Sequence, residues 1–220
     1  MVKNAIERKN LLGMPKDDKI SFFDVILIFF IAILLANVFV QTVWLSPVEV
    51  SGTSMEKTLQ HEDWLLIDKL KTPKRGDVVV FRATQTDNYI KRIIAVEGDE
   101  LFSKDGVIYL KTNGSEEYSP LVEDYAYFDP RYGDGTYLND VKDKYGDLPH
   151  IVVEKGTIFV LGDNRWGSKD SRHIGLVDVS TILGVVPNWA IENRKAYAWY
   201  YEFVEKVNLW INKTFNKSNG

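Results

Sequence analysis

The sequence predicts a mainly β protein with one N-terminal transmembrane helix and a C-terminal amphipathic helix. Three observations predict it: an apolar run from Val25 to Leu45, a series of short Val-, Ile-, Phe- and Tyr-rich runs between turn residues, and aromatic residues at helical spacing near the C-terminus. With 45% hydrophobic and 13% aromatic residues, the 220-residue chain has the composition of one folded core. Its formal net charge of -4 gives no reason to expect a nucleic-acid partner. The absence of cysteine excludes disulfides, thiolate nucleophiles and Cys-ligated zinc, so any nucleophile is an oxygen or an amine.

The run "VILIFFIAILLANVFVQTVWL" holds about 21 residues, which at ~1.5 Å each matches the ~30 Å hydrocarbon layer of a bilayer. Ser21 to Asp24 carries the Ser-x-x-Asp pattern that caps a helix start. The residues that follow the run, "VWLSPVEV", are too bulky for a signal-peptide cleavage site, so the segment reads as a retained anchor. Lys3, Arg8, Lys9, Lys16 and Lys19 precede it and Glu49 is the first charge beyond it, which puts the N-terminus in the cytoplasm. Asn37 and Gln41, in its outer half, find partners either in local solvation near the exit or in another helix. The chain thus divides into a cytoplasmic segment 1–20, an anchor 21–46, an extracytoplasmic domain 47–192, and a C-terminal helix and tail 193–220.

Strands are expected within "VEVSG", "DWLLIDKL", "GDVVVFRA", "NYIKRIIAVEGD", "GVIYLKTNG", "GTIFVLGDN" and "ILGVVPNWAI". Residues of about 112–150 read as an insertion, too long and too rich in tyrosine, acids and glycine for an ordinary connection. Its aspartates lack the spacing of a calcium loop, so a solvated loop or small cap is the simpler reading. Near the C-terminus Tyr200, Phe203, Val207, Trp210 and Phe215 fall close to one helical face, which either packs on the domain or lies in the lipid interface.

Three segments hold the candidate chemistry. In a strand over Asn88–Val96, alternation puts Tyr89, Lys91, Ile93 and Ala95 on one side and Ile90, Arg92, Ile94 and Val96 on the other. A lysine among apolar neighbours is poorly solvated, which favours the neutral amine that can take a proton from a serine. Taken alone, Lys91 is more simply an edge or snorkelling lysine, and Ser54 in "SGTSMEKTL" an ordinary turn residue. The third segment, "GDNRWGSKDSRHIGLV", is denser in polar groups than a plain loop. Within it Asp170 and Arg172 are spaced to pair, Ser168 can hold an amine, and Asp163 and Asn164 fasten the turn. The rival Ser-His-acid mechanism lacks a nucleophile elbow around Ser54, and His61, His150 and His173 are scattered; no metal or cofactor is expected.

In order, "SGTSMEKTL", "GDVVVF", "YIKRIIAVEGD" and "GDNRWGSKDSR" resemble the sequence boxes of type I signal peptidases, from the anchor to about Val177 and skipping the insertion. The resemblance implies a membrane-bound serine endopeptidase with a signal-peptidase-type β catalytic domain. It implies Ser54 as nucleophile, Lys91 as general base, Ser168 as the residue that orients the amine, and Asp170, Arg172 and Arg92 as supports. It further implies secretory preproteins as substrates, cut after a small-x-small sequence, with membrane lipid as a partner and contact with the secretion machinery as an open one. Some members carry a serine where this chain has Gly52, which leaves the second oxyanion donor open. Glu56 and Lys57 replace a pattern that often includes proline, which predicts a less rigid nucleophile turn. The competing functions are an assembly factor for surface proteins such as pilins, expected to have lost the serine or lysine, and a processor dedicated to a few surface proteins. A self-cleaving repressor-type protease is disfavoured by the anchor. Ser54 lies nine residues beyond Leu45, so an extended linker keeps it within about 30 Å of the run's end.

Overall fold

A computed structural model describes residues 20–104, 107–129, 131 and 148–215. The segment 1–19, most of the second half of the 112–150 stretch, and the tail 216–220 lie outside the described residues. The chain divides into two units, Met1–Val40 and Gln41–Gly220.

The first unit contains an α-helix, Phe22–Phe39, which passes into a π-helical turn over Val40–Trp44. Its start is the expected capping box: Ser21 Oγ accepts from the Phe23 N–H, and Asp24 accepts from the Ser21 N–H at 2.8 Å. None of the helix's side chains is buried, and the apolar stretch Phe22–Trp44 is long enough to cross a membrane. An all-round apolar surface of this kind, unlike an amphipathic one, has no aqueous face.

The second unit is built on antiparallel sheets. A seven-stranded sheet runs β1-β2-β11-β3-β4-β9-β10 and a four-stranded sheet β7-β6-β5-β8. The strands are β1 Leu45–Glu49, β2 Trp64–Asp68, β3 Val78–Arg82, β4 Asn88–Val96, β5 Glu100–Lys104, β6 Val107–Lys111, β7 Ser119–Pro120, β8 Ile151–Val152, β9 Thr157–Leu161, β10 Val177–Asp178 and β11 Ile182–Val186. β1 starts at Leu45 rather than at the expected Val48, because its register pairs Leu45 with Asp68 and Glu49 with Trp64. Pro47 is tolerated there because β1 is an edge strand. β5, "ELFSK", was not expected from its mixed composition; its polar Ser103 is buried and bonded to the backbone N–H of Leu148 at 2.6 Å.

The predicted alternation of β4 holds only as far as Ile93. A bulge between Ile93 and Ala95 shifts the pairing with β9, so Val96 packs in the same cluster as Tyr89 and Ile93, while Ile94 and Ala95 both pack in a second one. A third cluster, with Met55, Leu59, Leu65, Val78 and Val80, lies beneath the residues that follow Ser54. At the turn from β4 to β5, buried Asp99 accepts from Arg75 at 2.7 Å and from the N–H groups of Val96 and Asn113.

The C-terminal helix spans Arg194–Phe215. It packs through Tyr197 and Tyr201, the latter stacked on Trp64 of β2 at 4.4 Å, with Arg194 bound to Asp63. Of the two placements left open for the aromatic face, packing on the domain is not the one observed: Phe203 is 54% and Trp210 64% exposed, and the Phe215 side chain lies outside the description. Within residues 112–150, Ser119 and Pro120 pair with β6.

Candidate active site

The turn carrying Ser54 is fixed by burial of the residues that follow it. Met55 and Leu59 are at most 1% exposed and plug the core cluster, and the Leu59 N–H donates to the Met55 carbonyl at 2.8 Å to close a helical turn. Gly52 has φ +93°, a backbone that L side chains rarely adopt, which gives a local reason for glycine where some relatives of this pattern carry serine. Asn164 grips the turn by its backbone: its N–H donates to the Ser54 carbonyl at 3.0 Å and its side-chain amide to Thr53 O at 3.1 Å. Thr58 donates to Asp163 at 2.5 Å, Arg131 pairs with Glu56, and Lys57 lies over the Tyr127 ring. The turn expected to be less rigid without proline is therefore tied at Glu56, Lys57 and Thr58.

Lys91 projects from β4, which is flanked by β3 and β9, and is only 4% exposed. Its Nζ donates to Ser54 Oγ at 2.7 Å and to the Ile90 carbonyl at 2.8 Å. Burial pushes its pKa down to about 8, opposed by the Asp170 and Asp163 charges and aided by Arg172. The pair opens onto a cleft of about 600 Å³, lined by Ser51, Ser54, Val80, Tyr89, Lys91 and Lys169 among others.

The loop after β9 supplies the supports. Asp170 and Arg172 pair as predicted, at 2.7 Å, and Asp170 also accepts from the Gly162 N–H. Burial would raise the Asp170 pKa, but the Arg172 charge and hydrogen bonds hold it below the usual carboxylate value. Arg92 does not join this pair; it binds Asp163 at 2.6 Å, the residue that also holds Thr58. Sequence reading gave Asp163 and Asn164 structural roles, and their bonds to Arg92, Thr58, Thr53 and Ser54 are of that kind. Ser168 is buried nearby, yet the bond to the lysine amine implied by the resemblance is replaced by the bond to Ile90 O. The Ser168 hydroxyl helps lower the Asp170 pKa but makes no hydrogen bond of ordinary geometry. Arg165, Glu123 and Tyr125 join the same network and were missed: Arg165 was visible within "GDNRWG", whereas nothing local marked the other two.

Gly162 is the tightest point. A Cβ placed there would lie 2.2 Å from Ser168 Oγ and 2.5 Å from the Ser54 carbonyl oxygen. Gly162→Ala is expected to destabilise the fold by about 1–3 kcal/mol and to displace Ser54. Adding Ser168→Gly should restore only part of the melting temperature, because the Ser54 carbonyl remains; full restoration would place the strain at Ser168 alone.

His61 and His150 have other partners. His61 Nδ1 lies 3.3 Å from Val50 O and accepts weakly from Gly52 N, and His150 bonds Glu100. The position beside Ser54 is filled by an amine. Residues 22–189 match the family described as Signal peptidase, peptidase S26. The chain belongs to that family. It is a type I signal peptidase, and hence a serine endopeptidase. Signal peptidase IB of Staphylococcus aureus is 32% identical over 180 residues, covering 78% of this chain and 88% of its own. Signal peptidase I of Bacillus caldolyticus is 36% identical over 143 residues, covering 62% and 74%. A crystal structure of a signal peptidase I from Enterococcus faecalis V583 aligns at 26% identity and TM-score 0.36 over 53% of this chain and 98% of its own. The matched residues 22–189 of this signal peptidase include Ser54, Lys91, Arg92, Ser168, Asp170 and Arg172 and stop before the C-terminal helix.

Proposed function

We propose that this signal peptidase removes signal peptides from secretory preproteins by a Ser-Lys acyl-enzyme mechanism. The observation that carries the proposal is the 2.7 Å approach of a buried lysine amine to a serine hydroxyl at the mouth of a cleft. Neutral Lys91 takes the Ser54 proton as Oγ bonds the scissile carbonyl carbon. The tetrahedral intermediate then breaks its C–N bond, and Lys91 returns the proton to the departing amine. Water attacks the acyl ester, its proton passes to Lys91, and as the ester C–O bond breaks Lys91 returns that proton to Ser54 Oγ, regenerating the hydroxyl and the neutral amine. The Ser54 N–H serves as one oxyanion donor. Ser168, Asp170, Arg172 and Arg92 touch no reacting atom in this scheme and act by holding the loop and the charge around Lys91.

The helix Phe22–Trp44 is the membrane anchor in this reading, with the N-terminus cytoplasmic and the β unit extracytoplasmic; the charge asymmetry around the apolar run supports that orientation. The division into segment, anchor, domain and C-terminal helix is taken as read from the sequence, except that the anchor ends at Trp44 because Leu45 begins β1. Co-tethering of enzyme and preprotein in one bilayer raises their effective concentration.

The test is cleavage of a preprotein with small residues three and one before the cut, by the full chain in detergent, with sequencing of the new N-terminus. A single cut at that site is expected. Because the neutral amine is the active form, kcat/KM should rise with pH, about tenfold per unit, and level off above about 8. A profile flat from acid to neutral pH would exclude Lys91 as the base.

A further inference from the structure

The described start of the Tyr-rich stretch, residues 123–131 without 130, lies against the loop that grips the nucleophile turn. The Tyr127 N–H donates to Asp163 O and the Arg165 N–H to Tyr127 O, both at 2.7 Å, so Tyr127 forms a parallel bridge with Asn164. Glu123 takes two guanidinium nitrogens of Arg165, in a pair whose side chains are 10% and 6% exposed. Tyr125 lays its ring over Arg92, 4.1 Å from the guanidinium carbon, and donates its hydroxyl to Glu123 at 3.0 Å.

Each group so held leads onward to the reacting pair. Arg92 binds Asp163, which holds Thr58, four residues beyond Ser54. Arg165 Nε donates to the Gly162 carbonyl, and the Arg165 carbonyl accepts from Arg172, the partner of Asp170. Asn164, between them, bonds Thr53 and Ser54.

We propose that residues 123–127 are a strap that positions the Ser54–Lys91 pair, with Tyr125 and Glu123 as positioning residues acting through Arg92 and Arg165. The proposal deepens the Ser-Lys reading above and rests on it. Glu123 neutralises a guanidinium that would otherwise be buried without a counter-charge. The Tyr125 ring keeps water from Arg92 and so strengthens its hold on Asp163. Lys91 feels Asp163 and Asp170, which favour its charged form, and Arg172, which opposes it. A weakened Arg92–Asp163 pair leaves the Asp163 charge less neutralised and recharges the amine.

The test uses the full chain in detergent, a preprotein substrate, and Tyr125→Leu, Tyr125→Phe and Glu123→Gln beside Ser54→Ala. Tyr125→Leu is expected to lower kcat about tenfold at neutral pH with KM nearly unchanged, less than the ~10²-fold that a 1 Å misplacement of a reacting group costs. Its acidic limb should move to higher pH. Tyr125→Phe keeps the ring and should restore both kcat and the limb to near wild type. Glu123→Gln should shift the limb the other way, to lower pH, because it leaves the Arg165 charge unneutralised near the amine, and it carries the test alone if Tyr125→Leu is recovered unfolded. Unmoved limbs, with kcat either unchanged or reduced only in proportion to folded enzyme, would overturn the strap. Cleavage by Ser54→Ala would instead overturn the Ser-Lys reading, whatever the strap variants do.

Discussion

Ser54→Ala should abolish cleavage, lowering kcat/KM by about 10⁴-fold or more, with the fold intact. The hydroxyl removed is the atom 2.7 Å from Lys91 Nζ, and the chain has no cysteine to replace it. The turn itself does not depend on that hydroxyl: it is held by Met55 and Leu59 in the core and by the Asn164 and Asp163 bonds. Lys91→Ala should cost as much, and the double variant little more than either, because the two side chains act as one unit. Thermal melting in detergent checks the fold, and N-terminal sequencing of any product checks the reaction. Substantial cleavage at the authentic site by the purified Ser54→Ala variant would sink the assignment.

Arg172→Ala is expected to be the most destabilising change at the supports, by about 3–5 kcal/mol. Asp170 is wholly buried and held ionised by Arg172, whose Nε and Nη2 both donate to it. Removing the guanidinium leaves a buried carboxylate with backbone donors alone. The surviving fold should also titrate differently. Arg172 lowers the Lys91 pKa and Asp170 raises it, so losing the cation moves the acidic limb of the rate profile to higher pH. Melting temperature and pH profile are independent readouts; a variant as stable as the wild type would show that Asp170 finds another counter-charge.

The strand runs rich in Val and Ile were legible because three consecutive buried valines, Val78 to Val80, tolerate little else in a central strand. β5 was not, because Ser103 is buried on account of a partner, Leu148, 45 residues away. The bulge that reverses the facing of Val96 depends on pairing with β9 and leaves no mark within β4 itself. At the site, Ser54 and Lys91 were readable only through the order of the boxes, and Asp170 with Arg172 through spacing. Arg92 was named as a support without a partner, and its pairing with Asp163 comes only from the tertiary structure. Glu123 and Tyr125 sit in a stretch whose composition suggests solvent, and only the tertiary contact with Arg165 and Arg92 gives them a place. For the C-terminal helix the period was legible, but which face meets the domain stayed open. Tyr197 and Tyr201 meet β2 because Trp64 offers a ring to stack on, which periodicity cannot foresee.

The bond from Lys91 Nζ to the Ile90 carbonyl has a consequence for how the base is aimed. An imidazole has a far nitrogen by which a carboxylate can steer it; a primary amine has one nitrogen and no such handle. Aim then comes from the preceding peptide unit and from the walls of the sheet along the aliphatic stem. Breathing of those strands that admits water alters both the direction and the protonation of the amine in one event. On warming, activity is then expected to fall before strand pairing is lost, which comparing activity with far-ultraviolet circular dichroism over one temperature ramp would check.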